Sequence, residues 1–457
     1  MTGVVVGKSQ VKSNRMIEVR YTRNLFLRGI CIIYLFAFVS FYVQIPGLYG
    51  DNGILPARTQ IDLKDKSSCL EKFKQKPTLV WIAPYLGLNV EYTLDLIALS
   101  GVVLSFLGFI SQRFCVWPTF MSLWALYFSL YQVGQTFMQY QWDTLLLETG
   151  FLSILIAPFW VPKKAKISTP SDTVTFWCVR WLLFRFMFSS GVAKLASGCP
   201  VWWNLDGMYV ILVPFSSLDP SHNITIPPQI KQMYMKVEPY RISNGYTLFR
   251  RMTGIDGRPE IIIEGSNDIE GPWREYEFLY KPGNVNHSLS FVAPHSPRLD
   301  WQMWFAALGT YHNNPWIMSL TYRLLTNQKE VLSLLNTVEK PFGDKPPKYI
   351  RGNLYHYHFV PWKNSWNRES WWTREKVGEY FPIFSRDHPP LLEYLKKLNI
   401  LQDKPTIKIT NKMMKTVLDY MRMVTEKIEP SLLVWSIFIA GCAIIMTTKT
   451  TPQSKRK

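Results

Sequence analysis

The chain has 457 residues, of which 47% are hydrophobic, 15% aromatic and only 18% charged, a charged share below that of ordinary soluble domains. These averages conceal a split, because residues 25–45, 94–160 and 174–196 are almost purely apolar, whereas residues 225–430 have a soluble composition. The formal net charge is +18, and many basic residues flank the apolar runs. Such placement is typical of membrane-topology signals. It argues against nucleic acid as a partner, which usually needs basic residues clustered on a soluble face.

Six apolar segments are candidates for crossing a bilayer, which takes about 20 residues in a helix. They are Leu25–Ile45, Leu94–Ile110, Val116–Phe137, Leu145–Val161, Val174–Leu195 and Leu432–Met446. The first run is too long for a cleaved signal peptide, and no small-residue cleavage site follows it. We therefore predict a multi-pass α-helical membrane bundle of about six spans.

The Lys and Arg residues beside these spans predict their orientation, since cytosolic loops carry an excess of basic residues. Six of them precede or begin the first span, namely Lys8, Lys12, Arg15, Arg20, Arg23 and Arg28. Arg113 and the lysines at 163, 164 and 166 then fall in cytosolic links, and Lys455-Arg456-Lys457 falls in a cytosolic tail. Six spans place both basic ends in the cytosol and residues 199–430 in a lumen.

The predicted domain organisation combines these spans with one soluble region. Residues 1–24 form a basic cytosolic N-terminus, 25–203 a bundle of five spans with a luminal loop at 46–93, and 204–240 a linker. Residues 241–384 form a luminal soluble domain, 385–430 a connector, 431–447 the final span and 448–457 a cytosolic tail.

The soluble region is predicted to be an α+β domain that contains a β-sheet. Strand-like patterns occupy Glu260–Glu264, Trp273–Tyr280 and Tyr349–Phe359, and a turn-rich stretch separates the first two. Helical patterns occupy Arg298–Gly309, Pro315–Leu325, Gln328–Thr337 and Trp371–Phe381.

No catalytic motif accompanies this fold. The sequence has no Gly-x-Ser-x-Gly, His-Glu-x-x-His, P-loop or dinucleotide fingerprint, and no Cys-x-x-Cys. His356 and His358 share a strand face, but further metal ligands are not evident. We therefore expect no catalytic residues, no metal and no cofactor, which favours a binding role over an enzyme.

Four charged residues lie inside predicted spans, where a charge is costly and usually has a partner or a wet cavity. Asp143 and Glu148 are in the fourth span, and Arg185 and Lys194 are in the fifth. If the spans are antiparallel, Asp143 pairs with Lys194 near the luminal edge and Glu148 pairs with Arg185 deeper in the membrane. The favoured interpretation is structural ion pairing. The alternative is a polar site of a membrane enzyme or transporter.

The luminal side offers two kinds of covalent modification. The sequons Asn223-Ile-Thr and Asn286-His-Ser are candidate glycosylation sites. Cys69 and Cys199 are the two cysteines in loops, so we predict a disulfide between them in an oxidising compartment. Two unpaired thiols, or a redox-linked folding factor that uses them, are the alternatives.

Several long motifs resemble the lipase maturation factor family. In the membrane half they are Pro46-Gly-Leu-Tyr-Gly, Gly53-Ile-Leu-Pro-Ala, Trp142-Asp-Thr-Leu-Leu-Leu-Glu-Thr-Gly-Phe, Phe186-Met-Phe-Ser-Ser-Gly-Val-Ala-Lys-Leu and Gly198-Cys-Pro-Val-Trp-Trp. In the soluble half they are Arg241-Ile-Ser-Asn-Gly-Tyr, Arg258-Pro-Glu-Ile-Ile-Ile-Glu-Gly-Ser, Glu275-Tyr-Glu-Phe-Leu-Tyr-Lys-Pro-Gly and Pro297-Arg-Leu-Asp-Trp-Gln-Met-Trp-Phe. The motif residues Arg298, Leu299, Asp300, Trp301 and Trp304 are therefore candidate functional residues of the soluble domain.

The resemblance implies a protein of the endoplasmic-reticulum membrane that assists the folding, assembly and export of secreted lipases of the lipoprotein lipase type. Its expected partners are those lipases and membrane lipids. One departure concerns the membrane region, because the family carries a longer stretch with further helices after the position of Trp202-Trp203. Here only about 40 residues intervene before the soluble domain, so we expect a shortened membrane region.

Overall fold

The computed structural model describes residues 2–61, 68–159, 171–197, 232, 235–236, 238–246, 257–288, 290–336, 341–343, 345–360, 370–401 and 409–450. Its first half is helical: α1 (Thr2–Tyr42), α2 (Ile45–Tyr49), α3 (Cys69–Gln75), α4 (Ala83–Leu86), α5 (Val90–Ile110), α6 (Trp117–Val133), α7 (Gln141–Ile156) and α8 (Ser171–Ala196). Short 3-10 turns cover Ala57–Gln60, Leu79–Ile82, Gln112–Phe114 and Gln135–Met138.

The second half combines strands and helices. It contains β1 (Arg258–Ser266), β2 (Arg274–Glu275), α9 (Arg298–Ala307), α10 (Trp316–Leu325), α11 (Lys329–Leu332), β3 (Tyr349–Phe359), β4 (Trp372–Ser385), α12 (Pro389–Lys397), α13 (Lys412–Thr425) and α14 (Pro430–Thr450). Two further 3-10 turns are Glu238–Tyr240 and Tyr311–Asn313. We call α1 and α5–α8 with α14 the bundle, and the unit from β1 to α12 the domain.

Three helices among the described residues are long and apolar enough to cross a membrane, judged by length and composition. They are Tyr21–Tyr42 within α1, Val90–Ile110 and Pro430–Thr448. The helices α6 and α7 have 17 and 16 residues, which is short for a span. The 26-residue α8 is longer, but it carries Arg180, Arg185 and Lys194. A bundle is therefore present at the predicted positions, and three of its helices meet the criteria for a span.

The bundle helices alternate in direction, and among the described residues their contacts with the domain lie toward one end. Just after α1, Gln44 accepts the backbone N–H of Arg298, the first residue of α9. The beginning of α7 contacts α9 through Asp143. At the opposite end, Gln112 after α5 hydrogen bonds Asn24 in α1. The domain therefore sits on a single end of the bundle.

The sheet of the domain is antiparallel with the strand order β2-β1-β3-β4. β3 has the predicted bounds, and the predicted pairing around the turn-rich stretch is present, although β2 is only two residues long. The prediction of a helix at Trp371–Phe381 is wrong, because this segment belongs to β4. Its threonine, valine and aromatic residues suit a strand, and Pro382 is tolerated because β4 is an edge strand.

One continuous apolar core joins the two halves of the molecule. The ring of Phe137, before α7, packs edge-on against Trp316 of α10 with centroids 5.4 Å apart. Within the bundle, α1 and α5 pack closely at Gly101, where an added Cβ would lie 2.5 Å from the ring of Phe38. Small residues at such contacts allow membrane helices to approach closely.

This close approach makes Gly101→Ala a test of the bundle packing. Because the new methyl group overlaps the Phe38 ring, we expect a loss of about 1–3 kcal/mol, measured as a lower thermal midpoint in detergent. Gly29→Ala is the matched control in α1, since nothing lies within 4 Å of a Cβ added there. Equal midpoints for the two variants would contradict the packing described.

Candidate functional site

The junction between the bundle and the domain is centred on Arg298, the first residue of α9, and Asp143, in the first turn of α7. The Nη1 and Nη2 atoms of Arg298 donate to the two carboxylate oxygens of Asp143, each at 2.8 Å. Both side chains are almost completely buried. A bidentate pair fixes orientation as well as distance, so this contact aligns α9 on α7. We call it the junction pair.

Neighbouring groups add further hydrogen bonds to the junction pair. Arg298 Nη1 also donates to the carbonyl oxygen of Phe137 at 2.7 Å, and the Tyr127 hydroxyl donates to Asp143 at 2.5 Å. The Tyr140 hydroxyl lies 2.9 Å from the Arg298 carbonyl oxygen. Burial alone disfavours the guanidinium charge, but the charge and hydrogen bonds of Asp143 outweigh it and hold the pKa of Arg298 well above its usual value.

A second set of polar contacts joins the end of α1 to the segment before α9. The Ser40 hydroxyl lies 2.9 Å from Nδ1 of His295 and accepts the backbone N–H of Ser296 at 2.8 Å. Gln44 accepts the backbone N–H of Arg298 at 2.8 Å and donates to the carbonyl oxygen of Ser296 at 2.9 Å. Burial, with a smaller effect of the Arg298 charge, lowers the pKa of His295 to about 3. His295 is therefore neutral in the folded protein.

The second acid of α7, Glu148, is also satisfied by residues from later in the chain. One carboxylate oxygen pairs with Arg185 of α8. The other accepts the backbone N–H of Asn244 at 3.1 Å and the hydroxyl of Tyr246 at 2.6 Å. Arg185 also donates to the Ser243 hydroxyl at 2.5 Å. The segment that precedes β1 is thus bound to the bundle through Glu148.

These contacts test the two predicted ion pairs. Glu148 pairs with Arg185, as the antiparallel arrangement of α7 and α8 predicts. The predicted pair of Asp143 with Lys194 is wrong, because Arg298 occupies both carboxylate oxygens of Asp143. Lys194 lies half-buried near the end of α8.

The family-motif residues at the start of α9 have three different roles. Arg298 faces the bundle, and Leu299 lies in the core. Asp300 accepts the backbone N–H groups of Tyr280 and Lys281 at 3.0 and 3.2 Å. Burial raises the pKa of Asp300 to about 6, against the effect of these hydrogen bonds and of the Lys281 charge.

The remaining motif residues form an exposed aromatic surface beside the junction pair. Trp301 is 41% exposed, and its ring packs edge-on against Trp142 of α7, with centroids 5.5 Å apart. Trp304 contacts Trp301 and Phe305, and Phe305 and Leu308 are also exposed. These five residues (Trp142, Trp301, Trp304, Phe305 and Leu308) are called the α9 aromatic surface.

The loop after α1 packs beneath α10 on the same side of the bundle. Arg323 Nε donates to the carbonyl oxygen of Gly53 at 3.1 Å, and the Ser319 hydroxyl donates to that of Ile54 at 2.5 Å. Gly47 approaches the carbonyl oxygen of Glu330 so closely that a Cβ there would lie 2.4 Å from it. The motif segment 46–57 therefore positions α10 and α11.

The predicted modification sites are only partly described. Asn286 is exposed, at the rim of a polar cavity of about 510 Å³ between the sheet and the loop 277–290. Cys69 begins α3, whereas Asn223 and Cys199 lie outside the described residues. Within the described part of the chain, no three or more His, Cys, Asp or Glu side chains cluster as metal ligands would.

The junction pair itself was missed from the sequence. Asp143 and Arg298 are 155 residues apart, and Arg298 belongs to a helix of soluble composition. The sequence feature that could have indicated the pair is Arg298 itself, an arginine at the first position of an amphipathic helix whose apolar residues pack in the core. An arginine in that position either reaches solvent or must pair with an Asp or Glu side chain from another part of the chain.

The fold and the junction define an integral membrane protein whose helical bundle carries a tightly docked α+β domain. Residues 21–233 match the lipase maturation factor transmembrane domain, and residues 242–382 match the lipase maturation factor C-terminal domain. The chain belongs to the lipase maturation factor family, as its motifs predict.

Individual relatives support this assignment over most of the chain. Lipase maturation factor 2 of Xenopus laevis is 31% identical, with 85% of each chain covered. Lipase maturation factor 2 of Gallus gallus is 30% identical over 92% of this chain and 89% of its own, and lipase maturation factor 1 of Mus musculus is 28% identical over 82% and 88%. No solved structure matches the chain.

The alignment with the Xenopus laevis relative also bears on the membrane region. It extends over 607 positions, more than the 457 residues of this chain. The relative therefore contains stretches that have no counterpart here. The position of these stretches is not given by the alignment, so the shortened membrane region stays a prediction from the sequence.

Loss of one partner of the junction pair should destabilise the protein strongly. Arg298→Met leaves Asp143 buried without its counter-charge, and such a change costs about 3–5 kcal/mol. Adding Asp143→Leu removes the orphaned charge, so the double variant should recover part of the loss. Thermal midpoints in detergent of Arg298→Met, Asp143→Leu and the double variant measure these losses.

Lys415→Gln is the control for this cycle, because its ion pair with Asp419 is more than two-fifths exposed and should contribute less than about 1 kcal/mol. Strictly additive losses for Arg298→Met and Asp143→Leu would show that the two side chains do not interact as described.

His295 should make stability depend on pH. Its pKa is about 3 when folded and about 6.5 when unfolded, so the unfolded chain binds more protons between these values. Stability is complete above pH 6.5 and falls as pH decreases. The effect should reach about 2 kcal/mol at pH 5, since one pKa unit is worth about 1.4 kcal/mol.

His295→Asn keeps an acceptor for Ser40 but does not titrate. We expect its thermal midpoint to fall less than that of the wild type between pH 7 and pH 5. The raised pKa of Asp300 acts in the opposite direction and is common to both proteins. Parallel pH profiles would contradict a neutral, buried His295.

Proposed function

We propose that the protein is a non-enzymatic maturation factor of the endoplasmic-reticulum membrane that assists the folding, assembly and export of secreted lipases of the lipoprotein lipase type. Support comes from the family match, which covers both the transmembrane and the C-terminal domain, and from relatives named lipase maturation factor 1 and 2. The structural observation that carries the proposal is the junction pair. It holds an exposed aromatic surface in a fixed position against the bundle.

The client is proposed to meet the α9 aromatic surface. Exposed aromatic side chains in a contiguous patch are typical of surfaces that bind other proteins. Trp301 and Phe305 are one helical turn apart on α9, and both are exposed. Because the junction pair fixes α9 on α7, the surface is ordered before a client arrives. Preorganisation reduces the entropy lost on binding.

The proposed topology has six spans, with both chain ends in the cytosol and the domain in the lumen. Support comes from the alternating directions of the helices and from the position of the domain at one end of the bundle. Arg113 lies in the link between α5 and α6, at the opposite end. The shorter α6 and α7 are proposed to span within the bundle, where neighbouring helices cover them.

The alternative of an enzyme or transporter built on Asp143, Glu148, Arg185 and Lys194 receives no support from their contacts. The carboxylates of Asp143 and Glu148 bind residues of the same chain, at the base of the domain. Their proposed role is to dock the domain on the bundle.

Co-expression with a secreted lipase in cells that lack the factor tests the proposal. The wild-type chain should raise the lipase activity secreted into the medium. Trp301→Ser with Phe305→Ser should lower this gain without lowering the amount of membrane-integrated factor. Phe359→Ser is the matched control, because it removes a similarly exposed aromatic ring at the end of β3.

Two results would count against the proposal. If secreted lipase activity does not rise although the wild-type chain is stable, the maturation role fails. If the double variant is poorly integrated into membranes, the aromatic surface contacts lipid instead of a client.

The luminal position of the domain has a separate test. Asn286 should carry an N-glycan, so a glycosidase should increase the electrophoretic mobility of the protein. The shift should decrease in Asn286→Gln and vanish when Asn223 is also changed to Gln. A protein whose mobility does not respond to the glycosidase would contradict the luminal assignment.

A further inference from the structure

α13 directs a buried charged residue toward α5 and an apolar stripe away from the protein. Arg422 points inward, where it pairs with Glu91 and Asp95 of α5 at 2.7 and 2.6 Å. Asp419 accepts the Tyr92 hydroxyl at 2.6 Å. A helix on the surface of a soluble protein shows the opposite arrangement, with its apolar stripe against the core.

The outward face of α13 is an apolar stripe. It consists of residues three or four positions apart, a spacing that places them on one side of a helix, and all are exposed: Met413, Val417, Tyr420, Met421 and Val424. Met413 is 81% exposed and Val417 50%. Contiguous exposed apolar surface of this kind marks a site of contact with a protein or a membrane.

The depth of α13 in the bundle favours the membrane. Its N-terminal end is fixed beside the start of α5, where the backbone N–H groups of Thr410 and Asn411 donate to the carbonyl oxygen of Gly87. From there the helix descends along α5, because Arg422 reaches Asp95, which lies roughly 7 Å deeper than Val90 on a helical rise of 1.5 Å per residue. α13 therefore occupies the depth of the first turns of a candidate span.

The following helix supports the same depth. Only 17% of the apolar window of α14 is buried within the protein, so the remainder is available to lipid. Gly441 of α14 packs against Phe109 of α5, and with both helices running in one direction this contact puts Pro430 about 12 Å deeper than Val90. The chain thus passes from α13 directly into a span that faces lipid over most of its surface.

We propose that α13 is an interfacial helix that inserts its Met413–Val424 stripe into the bilayer leaflet on the domain side of the membrane. Its occupant is the lipid surface, and its charged face remains paired with α5. Lys412 is exposed at the upper end of the helix, where it reaches lipid phosphates. The segment that follows the domain is then held at the membrane surface independently of the junction pair. The proposal depends on α5 and α14 being spans and not on the lipase role.

Photolabelling of the full-length wild-type chain in bilayers tests the proposal. The probe is a phosphatidylcholine with a diazirine in the acyl chain close to the headgroup. Lipid adducts should appear on the tryptic peptide Thr416–Arg422, several-fold above those on the β4 segment around Val377. The α14 segment, with exposed Leu432 and Ile439, is the internal positive control. Labelled α14 with an unlabelled Thr416–Arg422 peptide would overturn the proposal.

A second experiment identifies what contacts the stripe. p-Benzoylphenylalanine replaces Val417 on the apolar face or, as the matched control, its neighbour Thr416, whose side chain points about 100° away around the helix. After irradiation in cell membranes, the probe at 417 should give lipid adducts, and the probe at 416 should give several-fold fewer. A protein adduct at 417 would overturn the proposal in favour of a partner protein. Equal adducts at both positions would also contradict it.

Discussion

A guanidinium that is withdrawn from water must be neutralised where it lies, because an unpaired buried charge is among the most costly defects in a folded protein. Arg298 meets this requirement through Asp143, which belongs to a different layer of the molecule. The bidentate geometry then determines where α9 lies on α7. Because α9 packs on β1, the position of the sheet follows from the same contact. The α9 aromatic surface has a defined place for the same reason.

The other acids of the bundle follow this principle. Glu148 is satisfied by Arg185 together with Asn244 and Tyr246, and Asp95 is paired with Arg422. In each case at least one partner lies later in the chain than α7. Without those partners the carboxylates would be left in an apolar environment, where ionised groups are costly. The bundle and the domain therefore depend on each other for stability, which agrees with the continuous apolar core that runs through both.

Local pattern predicted much of this architecture. The periodicity of Arg298–Gly309 and of Tyr349–Phe359 gave a helix and a strand at the right places, because in both segments packing agrees with local propensity. Trp371–Phe381 was mistaken for a helix, since only pairing with β3 decides the conformation of this edge segment. Charges within the membrane were expected to neutralise each other, so Asp143 was predicted to form an ion pair with Lys194 in the adjacent span. Its true partner, Arg298, could not be found by periodicity, since 155 residues separate the two.

The junction pair and the apolar face of α13 restrain the protein in different ways because one is an ion pair and the other a hydrophobic contact. The junction pair is short and directional, so it sets the position of the domain relative to α7 but tolerates little displacement. An apolar helix face in the lipid interface is not directional, since hydrophobic burial depends on area and not on angle. Together they restrain the chain at two separated points, one through the Arg298–Asp143 ion pair on α7 and one through α13, which is paired with α5 and buries its apolar face in lipid. With α9 held in this way, Trp301 rests against Trp142 on one side, and Trp301 and Phe305 keep an exposed face on the other.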